Sequence, residues 1–379
     1  MFEHLSNTAM LRFKRFAYLL LVVPPLLLVL AYWSFAWSGS LTASCFFTVF
    51  FMFVVYGFLD LVVGRDPSNP TEEMLPSLNA DGLYNTYLIL CLPLYAATLA
   101  LGGYVFCNYD GLSIMARVGW AMSVGSVGTV LAVTGGHELV HRDNAFQKNI
   151  GGILLSLICY GSFKVEHVRG HHVHVATVHD KSTARFGQSL YHFIPRAIVS
   201  NMKKAWALEA ARLKALSLSP ISWRNEMIWW TAISAGVAAT FYACFGYLGV
   251  LFFLGSSVWA FCVLECANYV QHYGLERMQL ADGRHEPTRT DHSWNSNFVL
   301  SNLSMFQLQR HSDHHESAKI KYQSLRHHAT CPQLPAGYPL MMLISCVPPL
   351  WRHIMHPRVL ALRQRPVAAH PDQSRCTTP

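Results

Sequence analysis

Nine histidines in this chain stand at spacings that could hold metal. His137 and His141, in H-E-L-V-H, are one helical turn apart on one face, the separation at which two imidazoles converge on one ion. In E-H-V-R-G-H-H, His167 and His171 repeat that spacing with His172 adjacent, and in Q-R-H-S-D-H-H, His311 precedes His314 and His315 by three and four residues. A fourth element is His272 in N-Y-V-Q-H-Y-G. Nine imidazoles exceed what one ion of about four to six ligands can use, so two ions are expected, although imidazole suits Fe, Cu, Zn and Ni alike. A lone histidine beside an apolar stretch is usually interfacial or hydrogen-bonded, but that reading does not account for three clusters at ligand spacing in one chain.

Two other metal chemistries are tested by the same spacings. H-E-x-x-H suits a zinc protease with Glu138 as general base, but that site needs one further ligand and leaves six imidazoles without a task. A soluble di-iron carboxylate bundle needs two E-x-x-H elements, and Glu138-x-x-His141 is the only one among the clusters. Ligating imidazoles need acceptors for their second ring nitrogens, usually carboxylates or carbonyls. The candidates are Glu138, Asp143, Glu166, Asp291 and Asp313, any of which could instead pair with Arg142, Arg169 or Arg310.

The elements that must position these groups are membrane helices. Of the 379 residues, 52% are hydrophobic and 13% charged, against about a quarter charged in a soluble domain. Runs of about 20 apolar residues, enough to cross a bilayer, occur at 16–37, 41–63, 85–107, 112–134, 228–246 and 249–270. The first follows Arg12, Lys14 and Arg15, lacks a cleavage site and reads as a retained span that Pro24 and Pro25 would kink. The expectation is an all-α integral membrane fold of six transmembrane helices in a single membrane domain. Polar His-rich insertions at 135–227 and 271–356 face the cytoplasm, and the tail 357–379 is expected to be disordered.

Six spans put both termini on one side, and the basic N-terminus, the Lys203/Lys204/Arg212/Lys214/Arg224 segment and the Arg-rich tail place that side in the cytoplasm. The net charge of +8 is thereby explained by topology, and no nucleic-acid partner is expected. The stretch 200–216 alternates apolar and basic residues like an interfacial amphipathic helix. Residues 338–350 are apolar but too short to span, which suits a re-entrant or core-packing segment. The ten cysteines include no C-x-x-C pair, so neither a zinc ribbon nor an iron–sulfur ligand set is present.

The four histidine motifs together resemble the membrane alkane monooxygenases, relatives of xylene monooxygenase and the membrane fatty-acid desaturases. R-T-D-H-S-W-N-S-N at 289–297, Y-Q-S-L-R-H at 322–327 and P-Q-L-P-A-G-Y-P at 332–339 also match, so the similarity runs from about residue 60 to 360. The resemblance implies a non-haem di-iron centre at the cytoplasmic face of a bacterial inner membrane. It further implies insertion of one oxygen atom of O2 into a terminal methyl group, with electrons from rubredoxin and an NAD(P)H-dependent rubredoxin reductase. Carried over residue by residue, the iron ligands would be His137, His141, His167, His171, His172, His272, His311, His314 and His315. Gln271 departs from the family, which commonly has Glu there. His174 and His179 are extra and read as surface residues, and His292 reads as structural or supporting rather than as a tenth ligand.

A methyl C–H bond offers no polar handle, so the protein's share would be orientation and exclusion of water in a narrow apolar channel opening to lipid. Phe50, Phe53, Tyr56 and Phe58 are candidates for setting chain length, and equally for lipid-facing or packing roles. A xylene-type methyl hydroxylase or a fatty-acid hydroxylase or desaturase is the neighbouring alternative. A His-rich metal transporter is the distant one, disfavoured because such ligands would lie inside the spans near the midplane. The lack of a fused electron carrier implies a separate donor, and basic residues such as Lys203, Lys204, Arg212 or Lys214 would steer an acidic one.

Overall fold

The computed structural model describes residues 6–66 and 68–364, and among these there is no β-strand beyond three isolated bridges. Among the described residues, five helices are long and apolar enough to cross a membrane: α1 (Asn7–Ser38), α2 (Leu41–Val63), α3 (Gly82–Asn108), α4 (Ile114–Val140) and a later helix, α8 (Glu226–His272). Between α4 and α8 lie α5 (Ala145–Ser156), α6 (Ser162–Glu166) and α7 (Leu190–Ala215). After α8 come α9 (Val299–Ser304), α10 (His311–Glu316), α11 (Tyr338–Ser345) and α12 (Pro348–Arg363).

The fifth of these long helices carries both of the last two expected spans. Its 47 residues are interrupted at Gly246, whose φ of 63° and ψ of −153° are not helical and suit a residue without a Cβ. The first span is longer than its apolar run implied. It starts at Asn7, capped by the Ser6 hydroxyl accepting from the Ala9 N–H, and tightens to a 3₁₀ stretch at Tyr18–Val22 just before Pro24 and Pro25. Lys14 is accordingly buried, paired with Asp66, and Arg15 pairs with Asp81 at 2.6 Å.

At the centre stands α4, the most buried of the five, packed against α2, α3 and α8. Its small residues allow this closeness: a Cβ on Gly125 would lie 2.4 Å from the Ser256 carbonyl of α8. The helix does not stop at 134 but runs on to Val140, so His137 lies on the span itself rather than in a following loop. Two long helices widen into π-helix, Phe51–Val55 in α2 and Thr129–Thr134 in α4.

The amphipathic helix begins ten residues earlier than expected, and its apolar stripe of Phe193, Ala197, Ala205 and Leu213 is buried against α6 and α8. α11 is a short core-packing helix against α8. The expected disordered tail is corrected in its first part. Residues up to Arg363 are helical through Pro357, because Trp351, Met355 and Val359 form a buried stripe and Trp351 packs on Tyr269 and Tyr273 at 5.2 Å. The rest of that tail, 365–379, lies outside the described residues.

Candidate metal centre

Four separate segments deliver the nine rings to one place. His137 is on the last turn of α4 with His141 just beyond it, and His272 is the last residue of α8. His311, His314 and His315 ride on α10, a helix of only six residues that other groups must hold. The Ser312 N–H donates to Asn295 Oδ1 at 2.9 Å and its hydroxyl to the Ser293 carbonyl at 3.0 Å. Arg310 donates to the carbonyls of Leu325 and Ser68 and pairs with Asp66 at 3.1 Å. Trp294 Nε1 bonds the Tyr273 carbonyl at 2.9 Å, tying the same strip to the end of α8. The D-H-S-W-N-S and Y-Q-S-L-R stretches thus serve as the frame around the histidines.

The rings form two groups, His137, His141, His167, His172 and His314 in one and His171, His272, His311 and His315 in the other. Within each, the ligand atoms lie within 4.8 Å of one another. His167 and His171, four apart, fall in different groups. The reason is local: residues 167–171 form a π-turn after α6, and the wider turn brings His167 level with His172 instead, with Nε2 atoms 3.1 Å apart. In α10 the ordinary turn aligns His311 with His315, Nε2 to Nε2 3.0 Å, and turns His314 to the first group, 3.2 Å from His172 Nε2. His272 Nε2 approaches His311 Nε2 at 3.1 Å.

Two nitrogens that bind one ion at about 2.1 Å and at right angles are separated by about 3 Å, so these spacings fit metal ligation. The donors themselves agree. Among the described residues, Nε2 of His137, His141 and His171 is buried with no hydrogen-bond partner, a costly state for a polar atom unless something else satisfies it. Burial and the neighbouring rings hold His141, His167, His172, His311 and His315 far below the ordinary histidine range, and lower His314 to about 3. These rings are neutral at any physiological pH, the form that ligates.

His171 differs, and a residue that the motifs did not single out is responsible. Its Nδ1 donates to Asp180 Oδ2 at 2.9 Å. Burial pulls its pKa down, but the Asp180 charge and hydrogen bond more than offset this and raise it. Burial likewise opposes ionisation of Asp180, yet His171 and Thr183 hold its carboxyl well below the usual range. Asp180 is fixed by the Ser182 N–H and the Thr183 hydroxyl at 3.0 and 2.6 Å. His272 Nδ1 has a backbone acceptor, the His292 carbonyl, at 3.4 Å. Carboxylates behind ligating histidines commonly carry ten- to hundredfold in metal affinity or activity, so Asp180→Asn is expected to lower metal affinity by about that factor, measured by competition with a chelator. Unchanged affinity would deny Asp180 this part.

The five carboxylates expected in that role are placed elsewhere. Glu138 pairs with Arg142 at 2.8 Å and accepts the Tyr322 N–H at 3.0 Å, fixing the end of α4 to the segment after α10. Asp313 takes His328 at 2.7 Å and the Arg326 N–H at 2.8 Å. Glu166 faces Lys204 at 3.3 Å, and burial with the nearby Asp180 charge pushes its carboxyl up to about 7. Asp143 pairs with Lys319 in solvent, and Asp291 is exposed. His292 is buried with Nδ1 accepting from the Arg289 N–H at 3.0 Å, while His174 and His179 lie in neither group.

An apolar cavity of about 70 Å³ approaches the first group from the spans, lined by Leu27, Met52, Phe53, Val130, Val133 and Leu264 among others. Thr134, Met305 and Leu308 line both this cavity and a small hollow that includes His137 and His314. Of the proposed chain-length residues, Phe53 and Tyr56 face the cavity, whereas Phe50 and Phe58 are 54% and 56% exposed on the outer surface.

Residues 112–344 match the fatty acid desaturase family. The chain is 47% identical to alkane 1-monooxygenase 2 of Pseudomonas aeruginosa over 362 residues, covering 95% of this chain and 96% of that one. It is 45% identical to alkane 1-monooxygenase 2 of Alcanivorax borkumensis, with 95% of each covered. A more distant relative is the xylene/toluene monooxygenase hydroxylase component of Pseudomonas putida, 27% identical over 57% of each chain. With its histidines gathered behind membrane helices and its similarity running almost end to end, the chain belongs to the alkane 1-monooxygenase family.

Proposed function

We propose that this chain hydroxylates the terminal carbon of medium- to long-chain n-alkanes, using O2 and two non-haem irons, and releases 1-alkanols. The observation that carries the reading is the meeting of an apolar cavity with two groups of converging imidazoles. One iron would be held by His137, His141, His167, His172 and His314, the other by His171, His272, His311 and His315. When bound, the irons supply the O2 chemistry that an unactivated C–H bond requires. The chain does the rest. The cavity wall sheds water from the hydrocarbon and aligns it lengthwise, and Thr134, Met305 and Leu308 pass its end to the His137 and His314 side. Asp180 and the His292 carbonyl hold the Nδ1 protons of His171 and His272, leaving Nε2 of each turned to the centre.

The chain crosses the inner membrane six times with both termini in the cytoplasm. This is supported by the break at Gly246, since an unbroken 47-residue helix would be about 70 Å long against a core of about 30 Å. Electrons come from rubredoxin and its NAD(P)H-dependent reductase. Lys204 and Arg212 are engaged by Glu166 and Glu209, which leaves exposed Lys203 and Lys214 to attract an acidic donor. Turnover with rubredoxin is therefore expected to fall several-fold between low and physiological salt, and a flat salt profile would remove these lysines from donor docking.

The test is product analysis on the purified, iron-loaded chain supplied with n-alkanes of graded length. A 1-alkanol with iron bound supports the proposal. A benzylic alcohol from xylene, or an unsaturated acyl chain, with no alkanol would move the chain to the neighbouring chemistries.

A further inference from the structure

One buried pair has no part in the hydroxylation just described. Tyr160, 1% exposed between α5 and α6, donates its hydroxyl to Glu265 Oε1 of α8 at 2.5 Å. That is the length of a hydrogen bond from a hydroxyl to a carboxylate. Glu265 is fully buried. Its other donors are also neutral, Asn201 Nδ2 at 3.3 Å and Asn268 Nδ2 at 3.1 Å, and among the described residues no Lys or Arg pairs with it. An ionisable group inside a span without a counter-ion is expensive and marks function more often than packing.

The phenol ring has a second, independent feature. It is stacked on Phe163, with centroids 6.1 Å apart and planes at 26°, and Phe163 is stacked on the His167 ring at 4.4 Å and 17°. A row of parallel rings therefore leads from the first histidine group to a phenol whose proton already points at a base.

We infer that Tyr160 is a redox-active residue that gives one electron to the histidine centre when O2 has been activated and no hydrocarbon is in the cavity. The inference rests on the proposed function for its oxidant, the O2-derived oxidising equivalent. In the step, the Tyr160 O–H bond breaks and its proton passes to Glu265 Oε1 along the existing hydrogen bond. One electron passes through the Phe163 and His167 stack to the centre, which is reduced by one, and a neutral phenoxyl radical remains. An electron from the donor that serves hydroxylation, with the proton returned from Glu265, restores the phenol. The oxidising equivalent is thereby spent on a recoverable residue rather than on the ligating imidazoles.

The test is electron paramagnetic resonance on the iron-loaded full chain, reduced, mixed with O2 without alkane and freeze-quenched. An organic radical is expected, falling several-fold when alkane is present, absent in Tyr160→Phe at equal iron content and reduced several-fold in Glu265→Gln. If Tyr160→Phe loads iron poorly, 3-fluorotyrosine placed at position 160 decides, because it keeps the fold and adds a fluorine splitting to a radical seated there. No radical, a radical surviving in iron-loaded Tyr160→Phe, or a spectrum unchanged by the fluorine would each overturn the inference. The same preparation is assayed for 1-alkanol, so alkanol without radical sinks the role of Tyr160 alone, whereas no alkanol sinks the hydroxylation.

Discussion

His141→Ala is expected to release one ion and abolish turnover, with iron falling from about two per chain to about one and 1-alkanol falling more than about a hundredfold. Supporting residues behind metal ligands already cost ten- to hundredfold, and removal of a ligand should exceed that. The His141 Nε2 has no hydrogen-bond partner among the described residues, so its loss breaks no hydrogen bond seen there. What it removes is a donor from a group whose rings surround it, His172 at 4.6 Å, His314 at 4.7 Å and His167 at 5.1 Å between centroids. The second group shares none of its donors and should keep its ion. Metal analysis and product yield on the same sample check both halves. His179→Ala, at an exposed ring outside both groups, is the control and should match the parent. Full iron and full turnover in His141→Ala would end the assignment of the five-ring group.

Much of this arrangement is legible in the sequence because the histidines that gather in the structure stand at helical spacing in it. His137 and His141 of H-E-L-V-H fall in one group since α4 stays helical to Val140, just before His141, and the apolar runs mark the long helices. The grouping of His167 with His172 is not legible. Its cause is a π-turn, which arises from packing rather than from any local residue preference. Asp180 is not legible for a related reason: it stands nine positions after His171, and only the loop held by the Asp180 N–H to the Thr177 carbonyl and by Thr183 brings it to the ring. Proximity in sequence suggested Asp143 and Asp291 instead, and solvent exposure places them outside. The helix at 348–363 is hard to read because Pro357 and the polar composition suggest a tail, whereas its stripe at 351, 355 and 359 has the period of a buried helix face.

Thr129→Phe is expected to cut the longest alkanes accepted while leaving short ones and iron content unchanged. The direction of the cavity follows from its walls. Tyr18 and Tyr56, in α1 and α2, are tied to the region before α10 through Gln307 and Leu300, so Leu27, nine residues on in α1, and Met52, one turn earlier in α2, line the part of the cavity further from the histidines. Val263 stands further from His272 than Ala267 does, and Thr129 lies more than one turn before Thr134, the residue shared with the hollow at His137 and His314. Leu27, Met52, Thr129 and Val263 therefore form the far end. A benzyl group there shortens the space without touching the rings, and each methylene denied an apolar pocket is worth about 1–3 kcal/mol. Alkanes reaching past that point should lose more than about tenfold in yield relative to shorter ones in a mixed-substrate assay. Overpacking a core can itself cost about 1–3 kcal/mol of stability, and such damage would depress every chain length together. Length-dependent loss is the signature of a closed channel end, and equal loss across the series would mean that the hydrocarbon reaches the histidines by another route.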